Sequence, residues 1–309
     1  MNNTVKVLEI IMPIFVTIAL GMLARKKNTI SEEANRGFQQ FIMSFCLPCV
    51  LFNSCLTGNF GMESLTSMVL LMPLIFLSSL WSFKFGRKIY PYHNFPQMFS
   101  AQETGMLGIP LFMTLFGSAQ AYRMGMLDLA QNMIAIPVIA ILSANTGKNP
   151  SPTYVLKKVI TSPLLLMSLL GLTLNLTGAM EVLNGIGIGT VITEVTGFVA
   201  QPVSAVILFC VGYNFSMEKG NRKRVFEICA LHIAIFAGIC LIIQAALCVI
   251  PSVDIETRWA VLLYCALPGS YLAAGLGKTK EESAIAASVC SLLTVTCLFV
   301  FCVITVIVA

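Results

Sequence analysis

The sequence predicts an all-α integral membrane protein of ten transmembrane helices, arranged as two inverted five-helix repeats. Three observations predict it: an apolar composition, an alternation of basic and non-basic loops, and two Pro- and Gly-interrupted spans that lie five helices apart. Of 309 residues, 57% are hydrophobic and only 11% charged, and the mean hydropathy is +0.86. So little polar surface cannot clothe a water-soluble globule, so lipid is the solvent this composition fits. No soluble module of ordinary composition fits between the apolar runs, and 1–309 reads as a single membrane domain.

A span needs about 20 mostly apolar residues. That criterion places helices near 7–24, 37–57, 65–83, 96–117, 121–144, 159–178, 195–216, 225–250, 257–277 and 282–308. The first run carries Glu9 and Pro13 and ends at Arg25, Lys26 and Lys27 without a small-residue cleavage site. It therefore reads as a membrane helix and not as a cleaved signal peptide. The fourth and ninth spans are the least hydrophobic, being interrupted by Gly and Pro. Between the sixth and seventh, 183–195 is Gly-rich and uncharged until Glu194, and reads as a re-entrant or interfacial segment on the outside.

Lys and Arg counts per connection set the orientation, because cytoplasmic loops are enriched in them. The loops after the odd-numbered spans carry Arg25, Lys26, Lys27 and Arg36; Lys84, Arg87 and Lys88; Lys148, Lys157 and Lys158; Lys219, Arg222, Lys223 and Arg224; and Lys278 and Lys280. Of the 19 basic residues, only Lys6, Arg123 and Arg258 fall elsewhere. One missed or invented span would scramble this alternation. Both termini are expected outside, in an inner (plasma) membrane. The net charge of +5 sits in short loops with no long basic run, which argues against a nucleic-acid partner.

Internal symmetry follows. Spans two and seven each carry a Pro followed by an aromatic and an Asn: Pro48, Phe52 and Asn53 beside Pro202, Phe209 and Asn214. Spans four and nine each embed a Pro among small residues: Thr104, Gly105, Gly108 and Pro110 beside Pro268, Gly269 and Ser270. Five is odd, so a repeat of five spans must be inverted relative to its partner; the repeats are 1–144 and 155–309. A Pro within a span frees carbonyls that cannot stay unsatisfied in hydrocarbon. Paired discontinuous helices use such groups to hold substrates and ions near the midplane. A lone membrane Pro or Gly usually only kinks or packs; two symmetric sites favour function.

Glu103 is the sharpest single feature, a carboxylate within the fourth span, seven residues before Pro110. Such a charge costs at least about 2.5 kcal/mol on insertion scales, so it must be protonated, paired or bathed in a water-filled cavity. It suits coupling or substrate binding; the alternatives are a structural ion pair or an interfacial position. Asp128 lies in span five with Gln131 and Asn132 at helical spacing, a polar stripe that either lines an ion pathway or glues the bundle. His232, Asn53, Asn175, Asn214, Gln201 and Gln244 read mainly as hydrogen-bonded core residues. Eleven Cys lie mostly in apolar runs and read as small buried hydrophobes, the Cys46/Cys49 pair included. No GxxxxGK[ST], HExxH or GxSxG motif occurs, so transport must be secondary or passive, with no enzyme activity, cofactor or metal expected.

At these motifs the chain resembles the auxin efflux carrier family, whose bacterial-type members are permeases. The segments that carry the resemblance are Phe45-Cys46-Leu47-Pro48-Cys49-Val50-Leu51-Phe52, Glu103-Thr104-Gly105-Met106-Leu107-Gly108-Ile109-Pro110, Pro202 with Leu208-Phe209-Cys210-Val211-Gly212, and Ala266-Leu267-Pro268. The resemblance implies a fold like that of sodium/proton antiporters and bile-acid symporters. In that fold spans four and nine cross at their prolines, and the crossing domain moves elevator-fashion against a scaffold of spans one, two, six and seven. It also implies a small organic-anion cargo such as a dicarboxylate or auxin-like acid. Family members commonly have Asn where this chain has Glu103, and a carboxylate there would repel an anion unless protonated, so either proton-coupled carriage of a carboxylate through Glu103 or a substrate that is not a simple anion is expected. The expected substrate site is Glu103, Thr104, Gly105, Pro110, Pro268, Gly269, Ser270, Pro48, Asn53 and Pro202, and the ion or proton site Glu103, Asp128, Gln131 and Asn132. The expected partners are an organic acid, the bilayer, a coupling proton or sodium, and a second copy in a homodimer. A transporter-like sensor would carry signalling domains. A cation/proton antiporter would usually show adjacent Asp residues at the crossing, and Asp128 stands alone in sequence.

Overall fold

The structure, a computed structural model, describes residues 3–58, 60–144, 157, 161–217, 221–250 and 253–308. Among these residues all regular structure is helical except one isolated antiparallel bridge between Gln102 and Gly269. Six helices are long and apolar enough to cross a membrane, and seven if a bent pair counts as one span. In chain order the helices are α1 (Asn3–Lys27), α2 (Glu32–Thr57), α3 (Met62–Ile89), α4 (Thr104–Phe116), α5 (Ala121–Ala144), α6 (Pro163–Thr177), α7 (Ala179–Gly185), α8 (Ile188–Asn214), α9 (Arg222–Leu247), α10 (Ile255–Ala266), α11 (Leu272–Gly275) and α12 (Lys280–Val308). The bent pair is α6 and α7, at 83°. Lys148, Lys158, Lys219 and the 145–154 connection lie outside the described residues.

Prolines explain much of the local irregularity. A mid-helix Pro lacks its N–H and clashes with the carbonyl four residues back. Pro48 and Pro110 each follow a five-residue π segment, Ile42–Cys46 and Thr104–Gly108. In the first, Leu47 N–H bonds to Ile42 O; in the second, Gly108 N–H bonds to Glu103 O at 3.1 Å. The wider π turn resets the hydrogen-bond register just before the ring arrives, so the helix continues. Gln201 and Pro202 form a turn that divides α8.

One expectation changes here. Residues 183–195 are not one segment of their own: 183–185 end α7, and α8 begins at Ile188, several residues earlier than predicted. Gly178 (φ 67°) and Gly187 (φ 78°) take the left-handed turns that bound α7, which frees the apolar run after Gly187 to join the span. The fourth and ninth spans are interrupted, as their Gly and Pro residues predict, but the fourth breaks at 100–103, upstream of Pro110. The fourth is a 3₁₀ turn (Phe95–Phe99), an extended stretch at 100–103, and α4. The ninth is α10, an extended stretch at 267–270, and α11.

Two groups of helices pack closely. α1 runs along the C-terminal half of α8, where a side chain on Gly21 would strike Phe209 O and one on Gly212 would strike Ile18 O. The second half of α2 packs on α6 with Gly171 against Phe52 O. Small residues that let backbones approach are the usual glue between membrane helices. Outward faces of these helices carry large exposed apolar side chains such as Met12, Leu20, Leu169 and Phe198, as lipid contact requires. The other group joins α3 to α5 and α9 to α10 and α12, and the two interrupted spans lie within it. At one end Arg123, 6% exposed, donates to Asp254 at 2.6 Å and Thr257 at 3.1 Å and lies over the Tyr122 ring, tying the start of α5 to the start of α10.

Candidate functional site

The two interrupted spans cross through their extended stretches. Glu103 N–H donates to Pro268 O at 2.9 Å, and Ser270 N–H donates to Ala101 O at 2.9 Å, with Gln102 opposite Gly269 between them. This is a wide antiparallel pair: the N–H and C=O of the two central residues point away from each other. Backbone groups in that position need other partners. For Gln102 both come from one side chain. Gln131 Oε1 accepts from Gln102 N–H at 2.8 Å, and Gln131 Nε2 donates to Gln102 O at 3.0 Å, so an amide on α5 pairs with the stretch as a third strand would. Tyr264 on α10 donates to the same Oε1 at 2.8 Å. On the opposite side the Cys290 thiol donates to Gly269 O at 3.2 Å. Gly269 is required by the close approach, because a Cβ there would lie 2.5 Å from Met98 O.

Glu103 sits in this crossing, 7% exposed. Its Oε1 accepts from Tyr271 N–H, and the Ser270 hydroxyl also bonds to it, so the second break supplies the donors for the carboxylate of the first. Asp128, also 7% exposed, accepts from Gln131 Nε2 and Asn132 Nδ2, both at 2.9 Å, and from the Thr104 hydroxyl. Asp128 is within electrostatic reach of Glu103. None of the ion pairs among the described residues involves either carboxylate. Two buried carboxylates met only by hydrogen-bond donors can take up a proton or a monovalent cation. No cluster of metal-ligating side chains occurs among the described residues.

Of the residues singled out from sequence, Glu103, Thr104, Pro268, Gly269, Ser270, Asp128, Gln131 and Asn132 come together at this crossing. The others do not. Pro110 sits buried in the first turn of the regular part of α4, and the fourth span breaks at 100–103 instead of at the proline. A Cβ on Gly105 would lie 3.2 Å from Met43 Cε, so Gly105 serves the α2–α4 contact. Asn53 accepts from Thr196 at 2.7 Å and links α2 to α8; Pro48 and Pro202 lie in those same helices. Asn214 accepts from Asn35, Asn175 donates to Cys55 O and Gly58 O, and Gln244 donates to Arg258 O, all structural ties. His232 is buried with its ring stacked on Phe236 at 4.5 Å and tilted against Phe99.

Sequence reading missed Gln102, Tyr264, Tyr271, Cys290 and Thr294. Tyr271 follows the Pro-Gly-Ser break directly, and its hydroxyl shares a 2.8 Å hydrogen bond with Thr294. Gln102 carries a further feature: it is 3% exposed, and neither heteroatom of its side-chain amide has a partner among the described residues. A buried polar group without a partner is the exception in folded proteins.

No protein-family model matches the chain. It is similar to a protein described as the uncharacterized transporter YfdV of Escherichia coli strain K12, 23% identical over 222 residues, which is 68% of each chain. The proteins of the same description from Escherichia coli O157:H7 and Shigella flexneri match to the same extent. The chain is a multi-pass α-helical membrane protein. Transmembrane transport, stated generally, is the activity that its spans and these relatives support.

Proposed function

We propose that the chain is a secondary transporter of a small organic anion, a carboxylate, that binds at the crossing and is carried by an elevator-type alternation of access with a proton taken up at Glu103. The observation that carries this reading is the pairing of two interrupted spans by backbone hydrogen bonds around Glu103 and Asp128, with no ion pair among the described residues to neutralise either. A charge so placed marks a substrate or ion path in membrane proteins. The extended stretches leave backbone groups at membrane depth, which is tolerated where they are buried in protein or line a cavity. The unpartnered amide of Gln102 offers the cargo a donor and an acceptor beside the carboxylates. An ionised Glu103 would repel an anion, so proton and cargo bind together.

The proposal extends to architecture. Ten spans are reached when the broken fourth and ninth, the bent α6–α7 pair and α5 are counted with the six long helices, giving repeats 1–144 and 155–309 that are inverted in an inner membrane with both ends outside. The close packing of α1 with α8 and of α2 with α6 supports a scaffold distinct from the crossing group. The resemblance to auxin efflux carriers and the general similarity to a transporter favour an organic-acid cargo.

Uptake of radiolabelled dicarboxylates and aromatic acids into proteoliposomes, measured across pH, tests the reading. The wild type takes up its acid faster when the side of entry is acidic, and Glu103→Gln flattens that dependence; an unchanged pH profile sinks the coupling role. Gln102→Leu weakens cargo binding while the thermal midpoint of the protein holds.

One observation favours a second reading, a cation/proton antiporter. Asp128 stands alone in sequence but reaches the Glu103 site through Thr104 in space. Sodium- or potassium-driven pH changes in vesicles containing the protein, with no organic acid present, would establish this reading in place of the first.

A further inference from the structure

A cleft of about 670 Å³ opens on the outside of the bundle where the last turns of α1 meet the end of α8, lined by Ala19, Met22, Leu23, Arg25, Lys26 and Phe215. Its volume lies within the range of small-molecule sites. Ala19, Met22, Leu23 and Lys26 are spaced i, i+3, i+4 and i+7, so they form one continuous stripe along α1 that is apolar until it ends in a cation. The stripe covers about 10 Å of helix, at 1.5 Å per residue. Met22 and Leu23 are each 44% exposed, which puts the apolar wall of the cleft toward lipid.

Arg25 is held in place. Its Nη1 donates to Tyr213 O at 3.2 Å and to Phe215 O at 2.9 Å, satisfying carbonyls at the end of α8. That leaves its remaining N–H groups uncommitted among the described residues. Lys26, one residue on, makes no hydrogen bond or ion pair among them. The two cations thus stand at the water-facing end of a membrane span, above a groove walled by hydrocarbon.

We propose that this cleft binds one anionic phospholipid, its phosphate between Arg25 and Lys26 and one acyl chain along Leu23, Met22 and Ala19. The chemistry follows from charge complementarity on one end and apolar contact on the other. Basic pockets beside membrane helices take acidic headgroups for this reason. A soluble anion would meet only the cationic end and leave the apolar wall unfilled. The proposal is independent of the cargo at the crossing, and failure of either leaves the other standing.

The test is a lipid titration of the purified protein in detergent, read as thermal stabilisation, with phosphatidylglycerol, phosphatidylcholine of the same chains, and glycerol phosphate. Phosphatidylglycerol is expected to bind about thirtyfold tighter than phosphatidylcholine, since each cation near a membrane surface contributes about fivefold. Lys26→Gln lowers phosphatidylglycerol affinity about fivefold, and the pair Arg25→Gln with Lys26→Gln brings it to the phosphatidylcholine level. Lys84→Gln, a basic residue on α3 outside the cleft, leaves it unchanged. Equal binding of the two lipids, reproduction of the shift by glycerol phosphate alone, or equal losses in Lys84→Gln and Lys26→Gln overturns the proposal. Should the paired variant fail to fold, Lys26→Gln decides, because Lys26 is exposed and bonded to no described residue.

Discussion

The two interrupted stretches share a backbone path and differ in what holds them. At 100–103 a side chain on a neighbouring helix, Gln131, pairs with both the N–H and the C=O of Gln102, and a tyrosine from α10 fixes that amide in turn. At 267–270 the central residue is a glycine whose carbonyl meets a thiol, and close backbone contact replaces side-chain support. The first stretch carries the carboxylate; the second delivers the donors to it through Tyr271 N–H and the Ser270 hydroxyl. Similar geometry therefore occurs twice, and the chemistry is divided between the two occurrences.

Substitutions can break this contrast in graded steps. Gly269→Ala has the largest expected effect, about 3 kcal/mol, because the new methyl overlaps Met98 O and the backbone has no room to yield. A detergent melting curve reads it, and a loss under 1 kcal/mol would mean the two stretches do not touch as described. Gln131→Leu comes next at about 2 kcal/mol, the cost of stranding one buried N–H and one buried C=O of Gln102. Tyr264→Phe removes one interhelical hydrogen bond and should cost about 0.6 kcal/mol, the mean for such bonds in a membrane bundle. Its effect should vanish in a Gln131→Leu background, which a double-mutant cycle measures. Cys290→Ala is the smallest, about 0.3 kcal/mol, since a thiol is a weak donor and a small hydrophobe replaces it. If Cys290→Ala costs as much as Gln131→Leu, the two stretches are held alike and the contrast fails.

Hydropathy makes the long helices legible because a membrane span must satisfy its own backbone. α1, α9 and α12 stand within a few residues of their expected positions. The limits of the broken spans were not legible, since an extended stretch in a membrane is stabilised by partners distant in sequence. Pro110 is the strongest local irregularity in the fourth span, yet a π turn absorbs it, and the break falls where Gln131 and Pro268 can take the freed backbone groups. Glu103, Asp128 and Gln131 could be singled out because polar residues are costly in an apolar run. Tyr264, Tyr271 and Cys290 could not, because their side chains are unremarkable in any apolar helix and only tertiary contact gives them work. Asn53 and Pro202 stand out in the sequence for the same reason, yet both lie away from the crossing, in α2 and α8, where Asn53 accepts from the Thr196 hydroxyl.

The crossing also has a consequence for how the chain enters the membrane. Glu103 and its donor at Tyr271 are 168 residues apart, and so are the backbone pairs beside them in close measure. At synthesis rates of 5–20 residues per second the first stretch waits roughly 10–30 s for its partner. Through that interval Gln131 alone, arriving some 30 residues after Gln102, can cover the open backbone. The clamp that holds the finished crossing thus also serves as a placeholder during insertion, and a Gln131 variant should be lost to membrane proteolysis more readily than its melting temperature alone would suggest.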